Sequence, residues 1–388
     1  MKETWRWFGP LDNISIEEIR QTGTQGIVTA LHEIPYGEVW EREAIAKRRD
    51  IIRASGFDWD VVESLPLHEN IKRGTGKLAS LFANYRQSLA NLAAEGIHTI
   101  CYNFMPLLDW TRTDLNSTVT SGGTCLRFST KRMAAFDVFI LGRKGAEEDY
   151  SSEVIDKAKA WYKKSSENDR KELFDSIMSG MPGAFDLYNI EGLRNELETY
   201  VGAKSKDLRM NYERFLNEVI PVAEELNIRM CVHPDDPPRN LLGLPRIVSN
   251  GDDIDWIMKA CQTQANGLTL CSGSLGANPK NDVLEITQKN SDRIHFAHLR
   301  NIRKEPDGSF EESAHLEGDV DMKALCLILI EEEKSRQLKK QTDWQIPFRP
   351  DHGHELLNDS ERKTFPGYPL IGRLRGLAEI RGVIYGLK

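Results

Sequence analysis

The stretch Ile228-Arg-Met-Cys-Val-His-Pro-Asp-Asp236 decides the fold. A short apolar, β-rich run ends in His233, and the Pro-Asp-Asp-Pro-Pro that follows forbids the strand to continue. His233 is therefore predicted at the carboxyl end of a strand, facing a loop. Three later runs repeat the pattern. Gly267-Leu-Thr-Leu-Cys271 precedes Ser-Gly-Ser, and Arg293-Ile-His-Phe-Ala-His298 precedes Leu-Arg-Asn. Gln345-Ile-Pro-Phe-Arg-Pro350 precedes Asp351-His-Gly-His354. Four consecutive strand ends thus carry His, Cys, His and Asp.

Outward from these runs the chain alternates strands with helices. Earlier strands are read at Thr4–Phe8, Gly26–Leu31, Asp58–Leu65 and Ile97–Phe104. From Lys77 to Glu95, Leu78, Leu81, Phe82, Tyr85, Leu89 and Leu92 recur at three- and four-residue steps, the mark of a helix with one buried face. Further helices are expected over 41–55, 211–227 (kinked at Pro221), 252–264, 281–290 and 321–339. A closing helix spans 369–388 despite Gly372, Gly376 and Gly382. Eight strand-then-helix units predict an α/β fold, a closed (β/α)8 barrel of parallel strands formed by residues 1–388 as a single domain. No glycine-rich nucleotide fingerprint follows the first strand, which disfavours a doubly wound dinucleotide-binding sheet. The rhythm breaks between 109 and 206, where a Thr/Ser/Gly-rich patch (117–124) leads into charged, helix-prone sequence interrupted at Met178–Gly183. That segment is read as an inserted helical cap or lid after strand four, with too little apolar content for a core of its own.

The composition narrows the function classes. With 51 Lys and Arg against 59 Asp and Glu, the net charge of −8 argues against nucleic-acid or anionic-membrane binding, which need a basic face. No stretch approaches the length of an apolar membrane span. The six cysteines form no CxxC pair and no signal peptide opens the chain, so a reducing cytoplasmic location is expected. The aromatic-rich ends and the insertion offer surfaces on which a homodimer could form.

In a (β/α)8 barrel the carboxyl ends of the strands form the functional face. Neighbouring strand ends stand about 5 Å apart, so His233, Cys271, His298 and Asp351 can converge on one ion. A lone histidine at a strand end is more often structural, and a lone cysteine more often a small core hydrophobe. Four in succession are hard to explain that way. His295, three residues before His298, falls on the opposite strand face and is read as barrel–helix packing. Cys231 is read as core one layer below His233, and His315 as solvated in a polar loop. His32 and His68 follow early strands and are equally candidates for the mouth or for structural duty. His352 and His354 flank Asp351, and a histidine titrating near neutral pH is the natural proton carrier. Arg349 and Arg300 suit a substrate carboxylate, or else a surface salt bridge. Asn103 suits a hydroxyl or a turn cap, and Tyr368 brings a phenol in a rigid turn. Together these residues suggest a mononuclear metal lyase or isomerase acting on a polyhydroxylated anionic small molecule.

The chain also resembles the mannonate dehydratases along nearly its whole length. The resemblance is carried by Thr4-Trp-Arg-Trp-Phe-Gly-Pro10, Ile27-Val-Thr-Ala-Leu-His32, Cys101-Tyr-Asn-Phe-Met-Pro106 and Asp109-Trp-Thr-Arg-Thr-Asp-Leu115. It continues in Val232-His-Pro-Asp-Asp-Pro-Pro238, Arg349-Pro-Asp-His-Gly-His354 and Gly372-Arg-Leu-Arg-Gly-Leu-Ala-Glu-Ile-Arg-Gly382. The resemblance implies a xylose-isomerase-like TIM barrel that converts D-mannonate to 2-keto-3-deoxy-D-gluconate and water in hexuronate breakdown. It implies metal ligation by His233, Cys271, His298 and Asp351, and catalysis by His352 and Tyr368. It implies Mn2+ or Fe2+ as the ion, whereas a thiolate in the ligand set would by softness favour Zn2+. Arg349, His354 and Asn103 are the expected substrate-binding residues. Three other readings stand beside it: a sugar isomerase or epimerase on the same barrel, a non-catalytic barrel with a structural metal, and, disfavoured by the acidic balance, a multi-zinc nuclease.

Overall fold

The computed structural model describes residues 1–179 and 189–388. Each predicted barrel strand is present; the first begins two residues earlier and ends two earlier than expected, the Cys271 strand gains a residue, and the other six are shorter. The first four are β1 (Lys2–Arg6), β2 (Gly26–Thr29), β3 (Asp58–Glu63) and β4 (Thr99–Tyr102). A hairpin follows, β5 (Asp114–Thr118) and β6 (Thr124–Phe128), its turn made by the Thr/Ser/Gly-rich patch. The barrel resumes with β7 (Arg229–Val232), β8 (Asn266–Cys271) and β9 (Ile294–His298). Two short strands, β10 (Ile302–Lys304) and β11 (Phe310–Glu312), precede the last barrel strand, β12 (Pro347–Arg349). The eight barrel strands close in the order β1-β12-β9-β8-β7-β4-β3-β2, with every pairing parallel. This is the expected (β/α)8 barrel.

Strand alternation sorts the side chains into two layers. Val28, Val61, Cys101, Cys231 and Phe296 point inward and pack as a small apolar plug, so Cys231 is core, one layer below His233. Outward-facing residues such as Trp5, Ile100, Met230, Leu270 and Ala297 join the helices in the main core. His295 faces outward too, buried, its Nε2 2.9 Å from the Gln264 carbonyl. Parallel register sets the functional rim: Cys271 lies opposite His298 and His298 opposite Arg349, while the His233 amide donates to the Tyr102 carbonyl at 2.9 Å.

The insertion differs from its reading as a purely helical cap. Helices Thr130–Ala135, Ser152–Lys164, Glu167–Met178 and Ile190–Glu198 are present, but β5 and β6 extend β10 and β11 into a four-stranded antiparallel sheet. Most of the break expected at Met178–Gly183 lies outside the described residues. Phe128, Met133, Phe136, Leu141, Leu173 and Ile177 from the insertion pack with Ile302 and Phe310 from the β10–β11 hairpin. That shared core explains the thin apolar content: part of the packing surface comes from a hairpin far later in the chain, which the sequence left as irregular. The helix Ser205–Glu225 then returns the chain to the barrel and runs through Pro221 to its end.

The closing helix Leu370–Leu387 needs two of its glycines. A Cβ on Gly372 would fall 1.8 Å from the His354 carbonyl oxygen, and one on Gly376 2.1 Å from the His315 ring. The glycines let the helix sit directly against the turn that carries Asp351 and His352. Gly382, by contrast, faces open space. Gly372→Ala should therefore cost roughly 1–3 kcal/mol through forced backbone movement and lower any activity of the 351–354 turn. Gly382→Ala should be neutral or stabilise by about 0.4–1 kcal/mol. Urea denaturation of the two variants checks this, and equal midpoints would refute the tight seating.

Candidate metal centre and active site

The site grows from strand ends that stop at one level. His233 follows β7, Cys271 ends β8, His298 ends β9 and Asp351 follows β12. The ligand-capable atoms of His233, Cys271 and His298 lie within 4.8 Å of one another. Asp351 stands beside this trio, its Oδ2 3.8 Å from His298 Nδ1 and 3.9 Å from Cys271 Sγ. Its backbone sits at φ 66°, the left-handed region that Asp tolerates better than most side chains. An observed outlier of this kind at a cluster of donors points to function.

The donor set fits a cation on its own geometry. His233 Nδ1 donates to the Pro234 carbonyl at 2.6 Å, and His298 Nε2 lies 3.4 Å from the Glu63 carboxylate. A neutral imidazole has one donor nitrogen and one acceptor nitrogen. With its Nδ1 donating to Pro234, His233 presents the Nε2 lone pair to the cluster, 3.1 Å from His298 Nδ1. Bonds of about 2.0–2.3 Å to a metal put neighbouring donors roughly 3–4 Å apart, and the separations of 3.1, 3.8 and 3.9 Å fall in that range. The Ser274 hydroxyl donates to Cys271 Sγ at 3.1 Å. Second partners that fix ring orientation in this way are typical of metal-binding histidines.

Above the trio opens a cavity lined among others by Asn103, Asp109, Trp110, Asp236, His352 and Tyr368. His352 is packed edge-on against Tyr368, with ring centroids 5.1 Å apart, and against Trp110 at 6.2 Å. Tyr368 is held by Phe8 at 4.9 Å and by the guanidinium groups of Arg373 and Arg349 at 5.3 and 5.6 Å. Its hydroxyl has no protein partner among the described residues, and burial pushes its pKa up to about 12, so the phenol stays protonated. The Trp110 indole N–H is buried, also without a partner among the described residues.

Beneath these groups lies a buried ion network. Arg112 bonds both oxygens of Asp236 at 2.8 and 2.9 Å and reaches Glu312 at 2.9 Å. Arg300 joins Asp236 at 2.8 Å, Glu312 at 3.2 Å and Asp351 at 3.4 Å. Arg349 clasps Glu63 at 2.6 and 2.9 Å and also pairs with Asp351. Burial would raise the carboxyl pKa of Asp351, but Arg349, His352, His298 and Arg300 outweigh it and hold the group well below the usual range.

Several expectations change. Arg349 and Arg300 are buried parts of the network, not surface salt bridges, because strand ends place them at the mouth where only carboxylates can balance them. His315 is buried rather than solvated, its Nε2 donating to the Pro350 carbonyl at 2.7 Å. His354 turns away from the cavity lining, its Nε2 2.9 Å from the Glu312 carbonyl, because Gly353 and the closing helix direct the turn behind the site. His32 sits beside Arg6 at 3.3 Å, whereas His68 caps the helix Glu69–Arg73. Asn103 does line the cavity. Glu63, Asp236 and Glu312 were not singled out from sequence. Glu63 and Asp236 do lie at a strand end and in the opening stretch, so the strand-end pattern could have found them, while Glu312 carried no signal.

The chain matches the family described as D-mannonate dehydratase (UxuA) over residues 1–388. It is 52% identical to the mannonate dehydratase of Chromohalobacter salexigens over 389 residues, covering 100% of this chain and 99% of that one. The crystal structure of mannonate dehydratase from Streptococcus suis serotype 2 superposes with a TM-score of 0.78 at 32% identity, covering 100% of this chain and 93% of that chain. A xylose-isomerase-like TIM barrel protein from Mycobacterium smegmatis matches with a TM-score of 0.50 at 11% identity over 96% of this chain and 88% of that one, a likeness of fold alone.

Breaking the ion network should be costly, since a buried carboxylate without its partner pays its full desolvation. Arg112→Leu leaves Asp236 and Glu312 to share Arg300, and should lower stability by about 3–5 kcal/mol. Urea denaturation at neutral pH measures it. A loss under about 1 kcal/mol would mean that the network contributes no more than a surface ion pair.

Proposed function

The chain belongs to the D-mannonate dehydratase family, and from that premise we propose how its residues divide the work. It is a hydro-lyase that converts D-mannonate to 2-keto-3-deoxy-D-gluconate and water, a step of hexuronate breakdown. We further propose a cytoplasmic location, supported by six free cysteines.

One observation carries the division of labour: ligand atoms of His233, Cys271 and His298 cluster within 4.8 Å beside a cavity whose wall holds His233 together with a histidine and a tyrosine in contact. His233, Cys271, His298 and Asp351 would hold one divalent ion, manganese or ferrous iron. When bound, that ion supplies Lewis acidity that stabilises negative charge developing beside the substrate carboxylate.

His352 removes the proton from C2 of the substrate. The Tyr368 hydroxyl donates a proton to the departing C3 oxygen, and the enol left behind becomes the 2-keto acid. Asn103 and the unpartnered Trp110 indole face the polyol. Arg349, locked between Glu63 and Asp351, fixes Asp351 rather than the substrate.

Two measurements test this. Metal-stripped protein incubated anaerobically with D-mannonate should form 2-keto-3-deoxygluconate when manganese or ferrous iron is restored. Silence with manganese, iron and zinc, from folded protein, would overturn the reading in favour of an isomerase. His352→Asn should abolish turnover and exchange of the C2 proton while leaving metal content unchanged. A variant that still turns over removes His352 from the mechanism.

A further inference from the structure

We infer that Glu312 is a positioning residue for His352, its carboxylate holding the imidazole with the proton on Nδ1 and Nε2 free to act on substrate. The inference rests on the proposed role of His352 as base. Glu312 Oε1 stands 3.1 Å from His352 Nδ1. An ionised carboxylate can only accept, so the facing nitrogen must be the donor, and the lone pair of a neutral ring is then on Nε2. Nε2 lies 3.8 Å from Asp351 Oδ1, on the side of the ligand cluster. Burial would neutralise Glu312, but Arg300, His352 and Arg112 together hold its pKa down to about 2, so it stays an acceptor.

The position of Glu312 in the fold makes this more than a chance ion pair. It is the last residue of β11, in the sheet that the insertion builds rather than in the barrel. β11 is fixed by β6 through Phe310 opposite Phe128 and Glu311 opposite Arg127, and by β10 through Ile302 opposite Glu312. The same residue restrains the second histidine of the turn, since its carbonyl accepts from His354 Nε2 at 2.9 Å. One residue on, Glu355 exchanges backbone hydrogen bonds with Thr124 of β6 at 2.8 and 3.2 Å, and its carboxylate takes the Thr124 hydroxyl at 2.7 Å. The stretch 352–355 is thus attached to the second sheet through His352, His354 and Glu355, and Glu312 is the attachment that reaches the His352 ring. The insertion acts here as a template for the base as well as a cover.

The first test needs no substitution at Glu312. The imidazole 15N spectrum of histidine-labelled wild-type protein exchanged into diamagnetic zinc, with His352 assigned by its loss in His352→Asn, reports which nitrogen bears hydrogen. A protonated Nδ1 is expected whatever the state of Nε2, and a bare Nδ1 overturns the inference. The second test is kinetic. Glu312→Leu removes the acceptor and should lower kcat by about 10²-fold or more with KM for D-mannonate changed less than about threefold and metal content unchanged. Glu312→Gln keeps a carbonyl able to accept from Nδ1 and should recover at least about tenfold of that loss. A folded Leu variant with wild-type kcat overturns the inference, as does an equal fall in both variants that tracks a lowered melting temperature. Should the Leu variant fail to fold, the wild-type spectrum decides. Turnover by His352→Asn would instead sink the base assignment itself, whatever the spectrum of the wild type shows.

Discussion

Eight buried charges at the barrel mouth constrain the rest of the structure. Arg6, Arg112, Arg300 and Arg349 and the carboxylates Glu63, Asp236, Glu312 and Asp351 are all at most 7% exposed. None could be buried alone, because an isolated charge in a low-dielectric interior carries a penalty of several kcal/mol. Each is present because its neighbours are, and they come from β1, β3, β11, β12 and the loops after β4, β7, β9 and β12. The network therefore ties both sheets to one geometry. Replacing such a network with apolar side chains is often neutral for stability, so its benefit lies in specificity of placement. Here it pins the Asp351 carboxylate and the Glu312 carboxylate at fixed points on either side of His352.

Much of this was legible because period-two alternation and strand-stopping residues are local signals. Runs such as Arg229–Val232 and Ile294–His298 declare a buried strand, and Pro234 or Leu299-Arg-Asn marks its end. Once eight such units close a barrel, parallel register sets Cys271 beside His298 and His298 beside Arg349 with no further information. The same alternation separated His298 from His295, and a two-residue step along one face set Cys231 a layer below His233. The bulk of the ligand cluster was thus readable from chain order alone.

What escaped was non-local. β10 and β11 are three residues each, and β6, the partner of β11, lies about 180 positions away, so no window of sequence contains the pairing. The polar run Phe310-Glu-Glu312 reads as loop by composition, yet Phe310 stacks on Phe128 with ring centroids 5.6 Å apart, and that contact completes the insertion core. His315 misled for a related reason. Its surroundings in sequence are polar, but Gly376 of the closing helix leaves a space that only the imidazole fills. Glycines counted against the closing helix as weak helix formers, when two of them are the condition for its contact with the active-site turn.

The same geometry weighs against the structural-metal alternative. A structural zinc site is closed by four protein donors. Here one of the four candidate ligands, Asp351, is shared with two arginines that compete for its oxygens. His233, Asp351 and His352 all line the cavity, so the cluster opens onto the space where a substrate would sit. A purely structural site would gain nothing from an adjoining pocket, a buried phenol without a partner or a histidine held edge-on to it. Donors that face a polar cavity would leave an ion open to a substrate oxygen, which a closed structural site does not.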